Sequence, residues 1–210
     1  MNVINNREVK LKINTILYIH GKGGDPAEAE RWREICDGYD MIGVDYAAYL
    51  PWIAKNQIKA AYDTAHEKYS GITVIANSIG AYLTMHSLHN CKIEKALFIS
   101  PILDMEQLIC DMMLWAGVSE KQLQLRGEIP TDFGETLSWK YLCYVRDNPV
   151  RWTVPTEILY AGHDDLTSLQ TVNEWIRRHN AKLTVMENGE HWFHTDEQLA
   201  FVDNWIKNVI

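Results

Sequence analysis

Six short apolar runs rich in β-branched residues alternate with helical patterns along this chain, and this alternation most constrains its fold. Runs of this kind are typical of buried strands, and the segments between them place apolar residues on one helical face. The alternation predicts an α/β fold, with a mainly parallel central sheet that has helices on both faces. The predicted strands are 15–20, 41–45, 72–77, 96–100, 156–161 and 183–187.

Three of the intervening helices begin at residues typical of helix caps. Asp25 precedes Pro26 and stands three residues before Glu28, which predicts a capping box at the start of a helix. The same spacing recurs at two later helix starts, Thr167 with Gln170 and Thr195 with Gln198. The sequence therefore predicts helices that begin just after residues 25, 167 and 195.

The segment from residue 101 to 155 interrupts the alternation. It has no convincing strand, shows helical stretches over 105–115, 119–125 and 135–146, and is too long for a crossover loop. We predict one domain over 1–210 with an inserted helical cap at about 101–155 that lies above the strand ends. Four side chains are predicted to line an apolar substrate pocket: Met112, Trp115 and Trp139 of this segment, and Trp192 outside it. Packing between cap and body explains the three cap residues at least as well.

Composition and charge argue against several classes of protein. The chain has 210 residues, 47% hydrophobic, enough to bury the core of one domain, and its net charge of −8 argues against nucleic-acid binding. No apolar run reaches the length of a membrane span, and the polar residues 1–12 lack a signal-peptide pattern. The four scattered cysteines form no C-x-x-C pair, which fits a reducing compartment. We therefore predict a cytoplasmic protein without a membrane or nucleic-acid partner.

A serine stands between small residues where the third predicted strand meets a helix. The local sequence is Ala76-Asn77-Ser78-Ile79-Gly80, and residues 80–89 have helical periodicity. A serine on such a turn projects its hydroxyl over the sheet edge, as in the nucleophile elbow G-x-S-x-G, from which Ala76 is one departure. The alternative is an ordinary turn in which Ser78 caps the helix.

A glycine-rich loop follows the first predicted strand. Its sequence, His20-Gly21-Lys22-Gly23-Gly24, allows a tight turn that leaves backbone N–H groups free to face a ligand. Acyl transfer needs two such donors for the developing oxyanion, and the candidates are the backbone N–H groups of Lys22 and Ile79. Phosphate binding is the alternative, but neither the Walker spacing nor G-x-G-x-x-G is present.

The loops after the last two predicted strands carry acids and histidines. Asp164 and Asp165 follow strand 156–161, and His191 and His194 follow strand 183–187, just before the final helix. Along the chain the order is serine, then acid, then histidine. This is the order in which a serine nucleophile, its orienting acid and its histidine base follow one another when the serine lies on an elbow of this kind. Loop acids and histidines are also common as solvated surface groups, so each residue alone is a weak signal.

Taken together, these motifs make the chain resemble a small serine α/β-hydrolase over nearly its full length, closest to compact bacterial members with a short cap. The motifs that carry the resemblance are H-G-x-G-G at 20–24, x-N-S-x-G at 76–80 and G-E-H-W-F-H at 189–194. The resemblance implies Ser78 as nucleophile, His191 as general base and an aspartate of the 164–165 pair as the acid. It implies hydrolysis of a small acyl substrate, such as an ester, without a metal or organic cofactor.

The resemblance also ranks the paired candidates. The family's late-strand motif D-x-L-T matches residues 164–167 and favours Asp164, whereas counting three places from Gly162 points to Asp165. His191 follows Gly189-Glu190 as in the family motif, and it is favoured over His194.

Other functions remain open at this point. A peptidase or thioesterase would use the same residues, and a non-catalytic binding protein could retain the fold. A dehalogenase is disfavoured, because it would carry aspartate in place of Ser78. The sequence predicts neither the natural substrate nor the oligomeric state.

Overall fold

The computed structural model describes residues 14–210, so the N-terminal segment interpreted above as lacking a signal peptide lies outside the described residues. Its eight strands are β1 (Asn14–Ile19), β2 (Tyr39–Gly43), β3 (Gly71–Asn77), β4 (Lys95–Ile99), β5 (Glu128–Pro130), β6 (Thr136–Ser138), β7 (Thr156–His163) and β8 (Ala181–Glu190). All six strands predicted from the sequence are present, and their ends differ from the predicted ones by no more than three residues.

Six of these strands form one sheet in the order β2-β1-β3-β4-β7-β8, and every neighbouring pair is parallel. The predicted parallel α/β architecture is therefore confirmed. β3 lies between β1 and β4, so the residue that follows β3 emerges near the middle of the sheet edge.

Helices cover both faces of the sheet. They are a 3₁₀ helix (Pro26–Trp32), α1 (Pro51–His66), α2 (Ile79–Leu88), α3 (Met105–Trp115), α4 (Glu120–Arg126), α5 (Trp139–Asp147), α6 (Leu169–Ile176) and α7 (Asp196–Val209). No helix among residues 14–210 is both long and apolar enough to cross a membrane.

The side chains of β1 show how the two layers form. Leu17 and Ile19 pack into a large core with α1, α2 and α6, whereas Ile16 and Tyr18 point to the other face. That second core contains the 3₁₀ helix and α7. Alternation with a period of two thus buries both faces of a single strand.

The predicted helix caps are mostly confirmed. Asp25 forms a capping box with Glu28, although the helix that follows is 3₁₀, and Thr195 accepts a hydrogen bond from the Gln198 N–H. The prediction for Thr167 is wrong by one residue, because Ser168 caps α6. The Thr167 hydroxyl instead donates to the Pro101 carbonyl, which ties the end of this loop to the chain after β4.

The segment between β4 and β7 contains α3, α4, α5 and a small antiparallel hairpin formed by β5 and β6. The expectation that it lacks strands is wrong, because three-residue strands are too short to show a period in the sequence. The helix predicted to begin at residue 135 begins at Trp139 instead, because residues 136–138 pair with β5 as β6. Arg146 joins the segment's helices by binding Glu106 and Glu120.

Candidate active site

Ser78 occupies a sharp turn between β3 and α2. Its backbone has φ 52° and ψ −122°, a conformation that costs a non-glycine residue about 1–3 kcal/mol. The turn is held on both sides, because the Ser78 N–H donates to Ile99 O at 2.9 Å and Ser78 O accepts from the Ile102 N–H at 3.1 Å. The strained turn is therefore a fixed feature of the sheet edge.

Small neighbours make this turn possible. A Cβ on Gly80 would lie 2.5 Å from Ile19 O and 2.6 Å from His20 O, so α2 can approach the end of β1 only with glycine here. Ala76, the departure from the elbow pattern, is fully buried in the core. The Ser78 side chain makes no capping hydrogen bond to α2, which contradicts the interpretation of this serine as a helix cap.

Three predicted side chains form a hydrogen-bonded chain at this turn. Ser78 Oγ lies 2.9 Å from His191 Nε2, and His191 Nδ1 lies 2.8 Å from Asp164 Oδ2. The His191 and Asp164 side chains are 2% and 0% exposed. Both contacts are thus shielded from water, where hydrogen bonds to a charged group are strongest.

The loop after β7 determines which aspartate takes part. Asp164 Oδ1 accepts hydrogen bonds from the N–H groups of Leu166 at 2.9 Å and Thr167 at 3.0 Å, which leaves Oδ2 for His191. Asp165 is exposed. The structure therefore places Asp164, and not Asp165, against the histidine.

The loop after β8 presents His191 in the same way. Phe193 has φ 43° and is buried in the second core, and its N–H donates to Glu190 O at 2.9 Å. This tight turn directs His191 inward and leaves Trp192 64% exposed, with its ring edge-on to the imidazole at 5.4 Å between centroids. His194 is exposed, and its Nδ1 lies 3.2 Å from Glu190 Oε2.

The glycine loop is fixed by groups that the sequence did not reveal. The Gly24 N–H donates to Gly21 O, and the Gly23 N–H donates to the Tyr49 hydroxyl at 2.8 Å. Tyr49 O in turn accepts from the Tyr141 hydroxyl of α5. Since Tyr49 is far from the loop in sequence and belongs to no motif, no local pattern identifies it.

Side chains also anchor this loop at its first residue and at its middle. The Lys22 ammonium binds both carboxylate oxygens of Glu135, in the turn between β5 and β6. His20 Nδ1 lies 2.8 Å from Gly21 O, and its ring stacks on Tyr46 with 4.3 Å between centroids. Among residues 14–210, no hydrogen-bond acceptor is found for the backbone N–H of Lys22 or Ile79, the two predicted oxyanion donors.

A cavity of about 290 Å³ opens beside Ser78 and His191. Of the four predicted pocket residues, Trp192 lines this cavity, whereas Met112, Trp115 and Trp139 do not. Met112 and Trp139 pack against the large core, and Trp115 is half exposed with its ring against Phe133. The wall is formed by the glycine loop, the 3₁₀ helix, residues of the strands, the loop after β8 and α7.

Tyr18 forms part of that wall. Its hydroxyl donates to Glu28 Oε2, and burial together with Glu28 raises the pKa of Tyr18 far above its ordinary value of 10. The phenol therefore stays neutral. No group of three or more His, Cys, Asp or Glu side chains among residues 14–210 is placed to hold a metal ion.

The parallel sheet with its serine turn after β3 and its loops after β7 and β8 defines the α/β-hydrolase fold. Est1E from Butyrivibrio proteoclasticus is similar, with 17% identity over 96% of this chain and 88% of that chain and a TM-score of 0.72. Mouse α/β hydrolase domain-containing protein 10 shows 15% identity over 93% and 88%, with a TM-score of 0.69. The Pyrococcus furiosus esterase PF2001 shows 18% over 93% and 80%, with a TM-score of 0.61.

These likenesses span nearly the whole chain and show its fold. No protein-family model matches the sequence, and no curated protein matches it.

Proposed function

We propose that the protein is a serine hydrolase that cleaves an ester or a related acyl bond of a small molecule through an acyl-enzyme. The observation that carries this proposal is the buried chain of hydrogen bonds from Ser78 through His191 to Asp164. A serine, a histidine and an acid in this order form the arrangement that activates a hydroxyl for acyl transfer. The fold shared with the Pyrococcus esterase supports the same class of reaction.

The first half of the reaction forms the acyl-enzyme. Ser78 Oγ attacks the acyl carbon while His191 Nε2, at 2.9 Å, takes the hydroxyl proton. Asp164 accepts from His191 Nδ1–H, which keeps Nε2 unprotonated before attack and stabilises the imidazolium that forms. The carbonyl oxygen becomes an oxyanion and accepts hydrogen bonds from the Lys22 and Ile79 N–H groups.

The second half returns the enzyme to its starting state. The tetrahedral intermediate collapses, the bond to the leaving group breaks, and His191 gives its proton to the departing oxygen. A water molecule then loses a proton to His191 and attacks the acyl-enzyme. The acid product leaves, and Ser78 regains its proton.

Hydrolysis of p-nitrophenyl butyrate tests this proposal. Ser78→Ala and His191→Ala should each reduce kcat by about 10⁴-fold or more, because neither variant can form or activate the nucleophile. Ser87→Ala is a matched control, since Ser87 is buried in α2 and its hydroxyl has no hydrogen-bond partner among residues 14–210. Turnover that survives Ser78→Ala would overturn the proposal. Assays with p-nitrophenyl thiobutyrate and with a peptide anilide then compare the rates of thioester and amide cleavage with that of the ester.

A further inference from the structure

The cavity beside Ser78 lies on a side of the sheet that the sequence did not indicate. Trp32 of the 3₁₀ helix and Leu199 and Val202 of α7 line it, together with Tyr18 and Ile99 from the strands. All but Leu199 belong to the second core, on the opposite face from α1 and α2. The space next to the reacting groups therefore extends between the 3₁₀ helix and α7.

The charged side chains around this cavity are already paired. Arg31 binds Asp203 through Nε at 2.9 Å and Nη2 at 2.7 Å, and Lys22 binds Glu135. Glu28 accepts hydrogen bonds from the Tyr18 hydroxyl and the Asp25 N–H. A charged ligand would have to compete with these pairs, whereas a neutral apolar ligand would contact the aromatic and aliphatic walls.

The volume sets the size of the group that fits. At about 30 Å³ for each non-hydrogen atom, the share of one water molecule in the liquid, the cavity of about 290 Å³ holds at most roughly ten such atoms, because it also includes the space beside Ser78 and the glycine loop. Octanoyl and 3-phenylpropanoyl groups are of this size. The acyl group is the part of the substrate that stays bonded to Ser78 through both halves of the reaction, so it gains most from an enclosed wall.

We propose that the cavity between the 3₁₀ helix and α7 is the acyl-binding site, and that it selects neutral, apolar acyl groups of octanoyl or 3-phenylpropanoyl size. This inference rests on the proposed function in that Ser78 is the acylated residue. Leu199 is then a residue that determines acyl specificity, and the side chains of the 101–155 segment are not.

Substitution at Leu199 tests the proposal by kinetics. Leu199→Trp should fill the cavity and lower kcat/KM for p-nitrophenyl octanoate and 3-phenylpropanoate by about tenfold or more, while p-nitrophenyl acetate changes by less than about threefold. Ala200→Trp is the matched control, because Ala200 is the next residue of α7 and its side chain is exposed outside the cavity. Its acyl preference should equal that of the unmodified protein.

Two further kinetic results would contradict the proposal. In the first, Trp115→Ala changes the acyl preference and Leu199→Trp does not. That result would place the acyl group under the 101–155 segment. The other is selectivity that follows the alcohol: Leu199→Trp would then discriminate among octyl, 3-phenylpropyl and ethyl acetates and not among the acyl series.

A binding measurement separates this inference from the proposed function. Isothermal titration calorimetry of 3-phenylpropanamide with Ser78→Ala requires no chemistry, so it tests the cavity even if Ser78 is not the nucleophile. We expect saturable binding to Ser78→Ala. Adding Ala200→Trp should leave the affinity unchanged, and adding Leu199→Trp should weaken it about tenfold or more. Absence of binding, or equal binding to all three proteins, would overturn the acyl-binding site. Ester turnover that does not depend on Ser78 would overturn the proposed function alone.

Discussion

Replacement of Asp164 by asparagine should abolish most activity without unfolding the loop. In the structure Oδ1 accepts the N–H groups of Leu166 and Thr167, and Oδ2 faces His191 Nδ1. An asparagine can keep both backbone hydrogen bonds only by placing its carbonyl oxygen at the Oδ1 position. Its NH₂ group then points at His191 Nδ1.

The consequence is a change of imidazole tautomer. An NH₂ donor opposite Nδ1 makes that nitrogen an acceptor and places the ring proton on Nε2, which then faces Ser78 Oγ as a donor. His191 can no longer take the serine proton. A wrong tautomer in a related arrangement costs about 10⁴-fold in kcat, which corresponds to about 5 kcal/mol of transition-state stabilisation.

Kinetics on p-nitrophenyl butyrate and thermal unfolding together test this reasoning. We expect Asp164→Asn to lose about 10⁴-fold in kcat while its Tm stays within about 4 °C of the unmodified protein, because both backbone hydrogen bonds are kept. Asp165→Asn is the matched control, since Asp165 is exposed, and it should retain full activity. The reasoning is refuted if Asp164→Asn keeps more than about one tenth of the activity, or if the loss appears in Asp165→Asn.

Three other substitutions test other parts of the structure. Tyr49→Phe removes the acceptor of the Gly23 N–H, so the loop loosens and kcat should fall about tenfold with KM nearly unchanged; an equal rise in KM would contradict this. Gly80→Ala puts a Cβ against carbonyl oxygens at the end of β1 and should cost about 3 kcal/mol in urea unfolding; a loss under about 1 kcal/mol would contradict it. Burial lowers the pKa of His86 to about 4, so unfolding takes up a proton and stability falls as pH drops from 6.5 towards 4. His86→Gln should remove that dependence, which Tm measured at both pH values checks.

The strands and the turn residues could be predicted because their signals are local. A buried β-branched run predicts a strand from its own composition. A glycine two residues after Ser78 indicates that the backbone of α2 comes close to another segment, which is the end of β1. The residues expected to work together follow strand ends, and parallel strands bring those ends to one edge. Ser78, Asp164 and His191 are within hydrogen-bond distance for this reason.

The cavity walls could not be predicted, because they depend on which helices meet in space. Arg31 and Asp203 are paired although 172 residues separate them, and this contact brings the 3₁₀ helix to α7. In the sequence, the apolar residues of the 101–155 segment fit a pocket wall as well as they fit a packed interior. In the structure, Met112 and Trp139 pack against the large core. Short strands such as β5 and β6 left no periodic signal for the same segment.

The central claim is that Ser78 is a nucleophile activated by His191. The most direct test is to treat the protein with a fluorophosphonate and locate the adduct by peptide mass spectrometry. The account predicts one stoichiometric adduct on Ser78, full labelling of the Ser87→Ala control, and none of Ser78→Ala. Equal labelling of Ser78→Ala, or no adduct on Ser78 in the unmodified protein, would contradict it.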